Sequence, residues 1–341
     1  MLNNTGRYET IKADGDPQVI SYTWPGFVNI GLSFEYFVVQ YLQAKRLKHS
    51  IGLEDDLITF TNQVLGQFHK AGKMIDVSKI LVGDYTTDPN NVSNDWLRVL
   101  TVDCQKINSL KYYIVREWHK NGNESRLLDK GVVRSFEDIE TVQKKWKVVN
   151  SAVGVDSGYD TEKVYQECVK HGQVQTMRTG EKFLDCWIAF KGWGKNETRL
   201  SFKHKDGINR YYSEESQGDC MWPAGSIYGK IPAKLYLWSN YSIKTILMNL
   251  RDNKVAGVRW MIDKKDTDYE NQLYSEHIEY VLNKSTGLTQ PRWVEHDENH
   301  FLDAEAMNLT LAIMGQRFSP TQLDERELLQ LIQINTKPQN N

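Results

Sequence analysis

The sequence predicts a mixed α/β domain preceded by a mainly helical segment. Two observations predict it. Between Trp96 and Val133, three β-rich runs follow one another, joined by turns rich in Asn and Gly. Beyond them a helix, a short apolar strand and a further alternation of helices and strands follow, an order that builds a sheet flanked by helices.

Residues 1–92 form the first part. Residues 34–48 place Phe34, Phe37, Val38, Tyr41 and Leu42 near helical spacing, and residues 57–68 do the same with Ile58, Val64, Leu65 and Phe68. Residues 84–95 are dense in turn formers and read as a linker. The pattern changes at residue 93, where a domain expected to run to 318 begins, followed by a polar tail over 319–341. Strands are expected over 97–103, 112–118 and 125–133. Ser135 is a good N-cap for a helix over 136–146. A buried strand follows at 152–156, and Asp160 and Thr161 then cap a helix that Gly172 closes. Residues 184–190 and 235–238 read as strands. Residues 269–282 and 301–314 read as helices, with strand-like 292–295 between them. This order fits a ribonuclease H-like mixed sheet. A dinucleotide-binding fold needs a Gly-rich turn after its first strand, and Asp103-Cys-Gln-Lys106 is not one.

Composition narrows the function classes. The formal net charge of −2 means that any nucleic-acid contact must rest on a local concentration of Lys and Arg. Cys104, Cys168, Cys186 and Cys220 show no CxxC spacing, which argues against a zinc ribbon. No run approaches the roughly 18 apolar residues of a membrane span. The N-terminus lacks the apolar core of a signal peptide, so a cytoplasmic protein is expected.

Asp103 and Asp156 each end a predicted strand, and Asp303 lies in the first turn of the last helix, where the helix dipole tolerates its charge. If the two strands are neighbours, both carboxylates emerge at one sheet edge. Taken singly, each is a common turn or cap residue; together they suit a site for hard divalent ions, which take oxygen ligands from separate rigid elements. A further carboxylate is available from Asp160, Asp297 or Glu305. His296 and His300 are four apart, but no third ligand pattern supports zinc. A solvated or capping role is expected for His300, which also falls near the site through Asp303. Residues 191–234 carry Lys191, Lys195, Arg199, Lys203, Lys205, Arg210, Lys230 and Lys234 against five acids, an excess of +3, with Trp193, Tyr211, Tyr212 and Trp222 interleaved. Such a stretch is either a solvated insertion or a DNA-binding loop.

Three stretches carry a family resemblance. The run Val153-Gly-Val-Asp-Ser-Gly-Tyr-Asp-Thr-Glu-Lys-Val-Tyr165 resembles the strand–turn–helix signature of phage terminase large subunits of the lambda A-protein type. Residues 97–105, ending Val-Asp-Cys-Gln, resemble that family's first nuclease strand, and Asn299-His-Phe-Leu-Asp-Ala-Glu-Ala-Met307 resembles its late helix. Weaker matches at Ala189-Phe-Lys-Gly192, 235–238, 243–250, Ala44-Lys-Arg46 and 60–66 keep the same order. The resemblance implies a ribonuclease H-like nuclease dependent on Mg²⁺ or Mn²⁺. Such an enzyme cuts concatemeric viral double-stranded DNA in the host bacterial cytoplasm, with Asp103, Asp156 and Asp303 as ligands of two ions. It also implies a small terminase subunit, a portal and an ATPase motor as partners. Ala304 stands where that family often has Cys.

A P-loop needs G-x-x-x-x-G-K-[ST]. Neither residues 66–74 nor residues 225–231 meet that spacing, so no motor is expected within this chain, whether it is a fragment or the product of a split gene. Two rivals differ in class: a catalytically silent module that binds DNA or the portal, and another ribonuclease H-like enzyme of resolvase or transposase type.

Overall fold

The computed structural model describes residues 33–51, 55–65, 79–106, 109–176, 182–193, 201–228, 231–282 and 289–319. The chain divides into two compact units, Met1–Val77 and Ser78–Asn341. In the first, helix α1 (Phe34–Ile51) precedes a short α2 (Asp55–Thr59), which runs into a π-helical turn at Phe60–Val64. Phe37, Ala44, Leu57 and Phe60 are buried, and Tyr41 packs on Phe60 with ring centroids 5.3 Å apart. Residues 66–68 of the expected second helix, and 320–341 of the expected tail, lie outside the described residues.

The second unit is built on a mixed nine-stranded sheet. Its elements in chain order begin with β1 (Leu81–Val82), β2 (Trp96–Cys104), β3 (Lys111–His119), β4 (Glu124–Val133), α3 (Phe136–Trp146), β5 (Val153–Asp156) and α4 (Thr161–Lys170). Then come β6 (Gln173–Thr176), β7 (Lys182–Asp185), β8 (Ile188–Trp193), β9 (Phe202–Lys203), β10 (Asn209–Arg210), β11 (Ser216–Gly218) and β12 (Ala233–Ser239). The unit ends with α5 (Asn240–Arg251), β13 (Arg259–Ile262), α6 (Thr267–Leu273), β14 (Glu276–Leu282), β15 (Thr289–Glu295) and α7 (His300–Met314). The strand order is β1-β13-β4-β3-β2-β5-β8-β12-β11. Its centre, β4-β3-β2-β5-β8, is an antiparallel meander extended by parallel strands, the arrangement of a ribonuclease H-like sheet.

Strand β2 sits at that centre and is buried over most of its length, as expected for a strand covered on both faces. On one face Leu100, Val102, Val153 and Val155 form the main apolar core with α3 and α4, through Phe136, Ile139, Trp146, Val164 and Cys168. Helix α3 begins where Ser135 and Asp138 close a capping box and ends at Lys147 in the left-handed region. On the other face lies α7, nearly all buried. Its approach depends on Gly154, where a Cβ would stand 2.9 Å from Phe190 and 3.0 Å from Leu311. Polar bonds fix α7 on β2: Thr101 Oγ1 donates to Ala304 O at 2.8 Å, and Asn308 Nδ2 donates to Val99 O at 3.2 Å.

Three expectations need correction. Residues 269–282 are not one helix. Asp266 caps α6 by accepting from Tyr269 N, and α6 stops at Leu273. Residues 276–282 then pair antiparallel with β15 across seven positions, because Glu-His-Ile-Glu-Tyr-Val-Leu suits a pleated ribbon. Residues 184–190 are two strands, broken where Trp187 turns inward to donate from Nε1 to Gln143 Oε1 at 2.9 Å. The helix expected over 57–68 is α2 followed by the π-helical turn. Within 79–92, Leu81 and Val82 pair parallel with β13.

Candidate active site

Strands β2 and β5 run parallel with Leu100 opposite Val153, Thr101 opposite Gly154 and Val102 opposite Val155. One step further along that register, Asp103 stands beside Asp156. Neighbouring parallel strands lie about 4.8 Å apart and in-register residues share a face, so both carboxylates rise on the α7 side. There α7 begins, and Asp303 lies in its first turn. The three residues expected to converge therefore meet at the carboxyl ends of the central strands.

Their electrostatics show the crowding. Burial pushes the Asp156 carboxyl well above the usual carboxylate range, and the neighbouring charges of Asp103 and Asp303 push it the same way. Gly158 N counters by donating to Asp156 Oδ2 at 3.1 Å. A Cβ at Gly158 would lie 3.1 Å from that oxygen, so the glycine leaves the carboxylate its place. Asp103 is buried and accepts from Gln105 Nε2 at 2.5 Å. Its Oδ2 also lies 3.1 Å from His300 Nδ1. The His300 ring packs against Tyr112, centroids 4.3 Å apart. Burial alone would lower the His300 pKa, but the hydrogen bond and charge of Asp103 raise it above its ordinary value.

Asp303 is held from the other side. Lys244, buried on α5, places its Nζ 2.6 Å from Asp303 Oδ1 and 2.7 Å from Glu276 Oε1. Desolvation would lower the Lys244 pKa; the two carboxylates raise it instead. Asn299 Nδ2 donates to both Glu276 and Asp303 Oδ2. Sequence reasoning missed Lys244 and Glu276. The one signal that could have found them is a lone Lys within Tyr-Ser-Ile-Lys-Thr-Ile-Leu247, since lysine is almost never fully buried unpaired.

The other expected residues divide. Lys191 is exposed at the end of β8, and its charge counteracts the upward shift of Asp156. Asp160 ends the β5–α4 turn in the left-handed region at φ 49°, exposed, with no side-chain capping bond. Glu305 is turned away from the site. It is fully buried, paired with Arg116 at 2.9 Å and accepting from Tyr269. Lys203 is exposed on β9. Lys205 is almost fully exposed, 3.7 Å from Glu214, and Arg210 is paired to Asp206 at 2.6 Å. Lys195 lies outside the described residues. His296 and His300 serve different centres: His300 faces Asp103, whereas His296 stacks on His277.

The donor set Asp103, Asp156 and Asp303 is all oxygen, which suits a hard divalent ion, and a cation would relieve the repulsion that Asp156 carries. No helix among the described residues is long and apolar enough to cross a membrane. No curated protein matches this chain. The chain is similar to the large terminase nuclease from thermophilic phage G20c, at 9% identity and a TM-score of 0.27 over 68% of this chain and 92% of that one. The family model for the terminase large subunit gpA endonuclease domain matches residues 20–318, and the chain belongs to that family.

Proposed function

We propose that this chain is a divalent-metal-dependent endonuclease that cuts concatemeric viral double-stranded DNA during genome packaging in the host bacterial cytoplasm. The observation that carries this reading is the strand register that sets Asp103 beside Asp156 under the first turn of α7. Mg²⁺ or Mn²⁺ ions held there would supply an activated water and offset charge on the leaving 3′ oxygen, as two ions about 3.5–4 Å apart do in phosphodiester hydrolysis.

The protein groups have separable tasks. Asp103 and Asp156 present oxygens from rigid strands, and Asp303 adds a third carboxylate from α7. His300 and Gln105 orient Asp103, while Lys244 and Asn299 orient Asp303. Supporting groups of this kind hold ligand geometry. Lys191 lies beside the site with its charge exposed, placed to meet a phosphate. The amide side chains in the site, Gln105 and Asn299, are engaged with Asp103 and with Glu276 and Asp303, so site choice falls to a partner such as a small terminase subunit or the portal. The segment before the sheet would join the nuclease to an ATPase motor chain or domain.

Plasmid nicking in Mn²⁺, with and without EDTA, tests the proposal. Nicking is expected with metal, and is expected to vanish with EDTA and in Asp103→Asn and Asp156→Asn. Cutting that survives either substitution would overturn the site assignment. No cutting in any divalent metal would leave a DNA- or portal-binding module in its place.

A further inference from the structure

A second cluster of metal-ligating atoms lies on the β14–β15 ribbon. Among the described residues, His277, Glu279 and His296 are the group of three whose ligand atoms all fall within 4.8 Å of one another. His277 and Glu279 are two apart on β14 and so share a face. His296 directly follows β15, where its N donates to Ser275 O at 2.9 Å, diagonally across from His277. The two imidazoles stack, with centroids 4.2 Å apart and planes 4° from parallel.

The three atoms form a nearly equilateral triangle. His277 Nε2 lies 3.2 Å from His296 Nε2 and 3.0 Å from Glu279 Oε1, and His296 Nε2 lies 3.5 Å from the same oxygen. Zinc binds His nitrogen and carboxylate oxygen at about 2.0–2.2 Å, so two ligands of a tetrahedral ion stand about 3.3–3.5 Å apart. The observed edges of 3.0, 3.2 and 3.5 Å come within about 0.3 Å of one face of such a tetrahedron. Three acceptor-bearing groups this close need a proton or a cation between them.

We propose that His277, Glu279 and His296 form a second metal site, distinct from the carboxylate centre, that takes Zn²⁺ or a similar imidazole-preferring divalent ion. Two imidazoles and one carboxylate suit zinc, whereas Mg²⁺ prefers oxygen ligands alone. Each ring must rotate about χ2 to aim its lone pair at the ion. That torsion is broad for His, and both side chains are about half exposed, 38% and 49%. The fourth position faces solvent and takes water.

The site's place in the chain gives it a task. Glu276, next to His277, is the carboxylate that shares Lys244 with Asp303. His296 begins the short connection through Asn299 into α7. An ion there clips strand β14 to that connection, one residue from the network that orients Asp303. Its role is positional, and its existence does not depend on the nuclease reading.

Zn²⁺ binding to the whole chain, measured by titration calorimetry in excess Mg²⁺, tests the site. Wild type is expected to take up Zn²⁺ that Mg²⁺ does not displace. Asp103→Asn combined with Asp156→Asn is expected to bind it equally well, which separates this site from the nuclease centre. His277→Gln and His296→Gln are each expected to weaken binding more than roughly tenfold, with far-UV circular dichroism unchanged. Should either variant unfold, Glu279→Gln, at an exposed position, provides the same reading. No Zn²⁺ uptake by wild type, undiminished uptake in the folded His variants, or loss of uptake in the Asp103/Asp156 double variant would each overturn the proposal.

Discussion

Asp303 and Glu305 sit two residues apart on one helix and meet opposite fates. Two residues turn an α-helix by about 200°, so the two carboxylates face different neighbours. Glu305 points inward, where Arg116 grips it through Nε and an NH₂ nitrogen, and Tyr269 donates to it at 2.5 Å. Arg116 in turn lies 3.9 Å from the Trp260 ring centroid and donates to Met261 O. Asp303 keeps 30% of its side chain exposed and shares Lys244 with Glu276. Residue type does not separate the two. One charge is closed off by protein donors on every side, whereas the other keeps an open rim beside two further carboxylates.

The sharpest way to break this contrast is to neutralise the open site. Asp103→Asn is expected to slow nicking at least roughly a thousandfold, about 4 kcal/mol of barrier, with the urea midpoint little changed. The reverse is expected on the closed side. Arg116→Met leaves Glu305 buried without its cation and is expected to cost about 3–5 kcal/mol of folding stability. Urea unfolding reads this, and a loss below about 1 kcal/mol would mean the pair is not the closed unit described. Lys244→Met lies between the two, since it touches a site carboxylate from within the core. Nicking is expected to fall roughly ten- to a hundredfold, measured as single-turnover rates at saturating Mn²⁺.

The smallest effect concerns Asp156 itself. Its folded pKa is raised, so its ionised form opposes folding, and that penalty is present at neutral pH. As the pH falls through the raised pKa toward the ordinary value of 3.8, the carboxyl protonates and the penalty disappears. In EDTA, Asp156→Asn is therefore expected to be more stable than wild type at neutral pH. Thermal melts should show this gap closing on acidification. A gap that widens instead would contradict the crowding of carboxylates at the strand ends.

Much of the frame was legible. Ser135 and the helix it caps end where expected, because a capping box and an amphipathic stripe are local signals. Strands β2 to β4 were legible for the same reason. The adjacency of Asp103 and Asp156 was legible only through the family resemblance, because register between strands 53 residues apart depends on the packing of the whole sheet. Strand β13 was missed: four residues, Arg-Trp-Met-Ile, are too short to show a period. The run from Tyr269 to Leu282 misled because its apolar residues fit a helical spacing as well as an alternating one. His277 and His296 were never read as a pair, since only the ribbon between β14 and β15 brings them together.

The polar bonds that α7 makes to β2 and β3 also set what the domain is unable to do. Sliding the helix by one turn, about 5.4 Å, would strip Thr101 Oγ1 from Ala304 O, Asn308 from Val99 O, and Trp118 Nε1 from Asn308 Oδ1. Each buried group left unsatisfied costs about 1–3 kcal/mol, on top of the broken Arg116–Glu305 pair. The helix is thus a ratchet locked at a single tooth. The span from Asp103 to Asp303 is a fixed gauge, and any adjustment around a bound ligand falls to the elements around it.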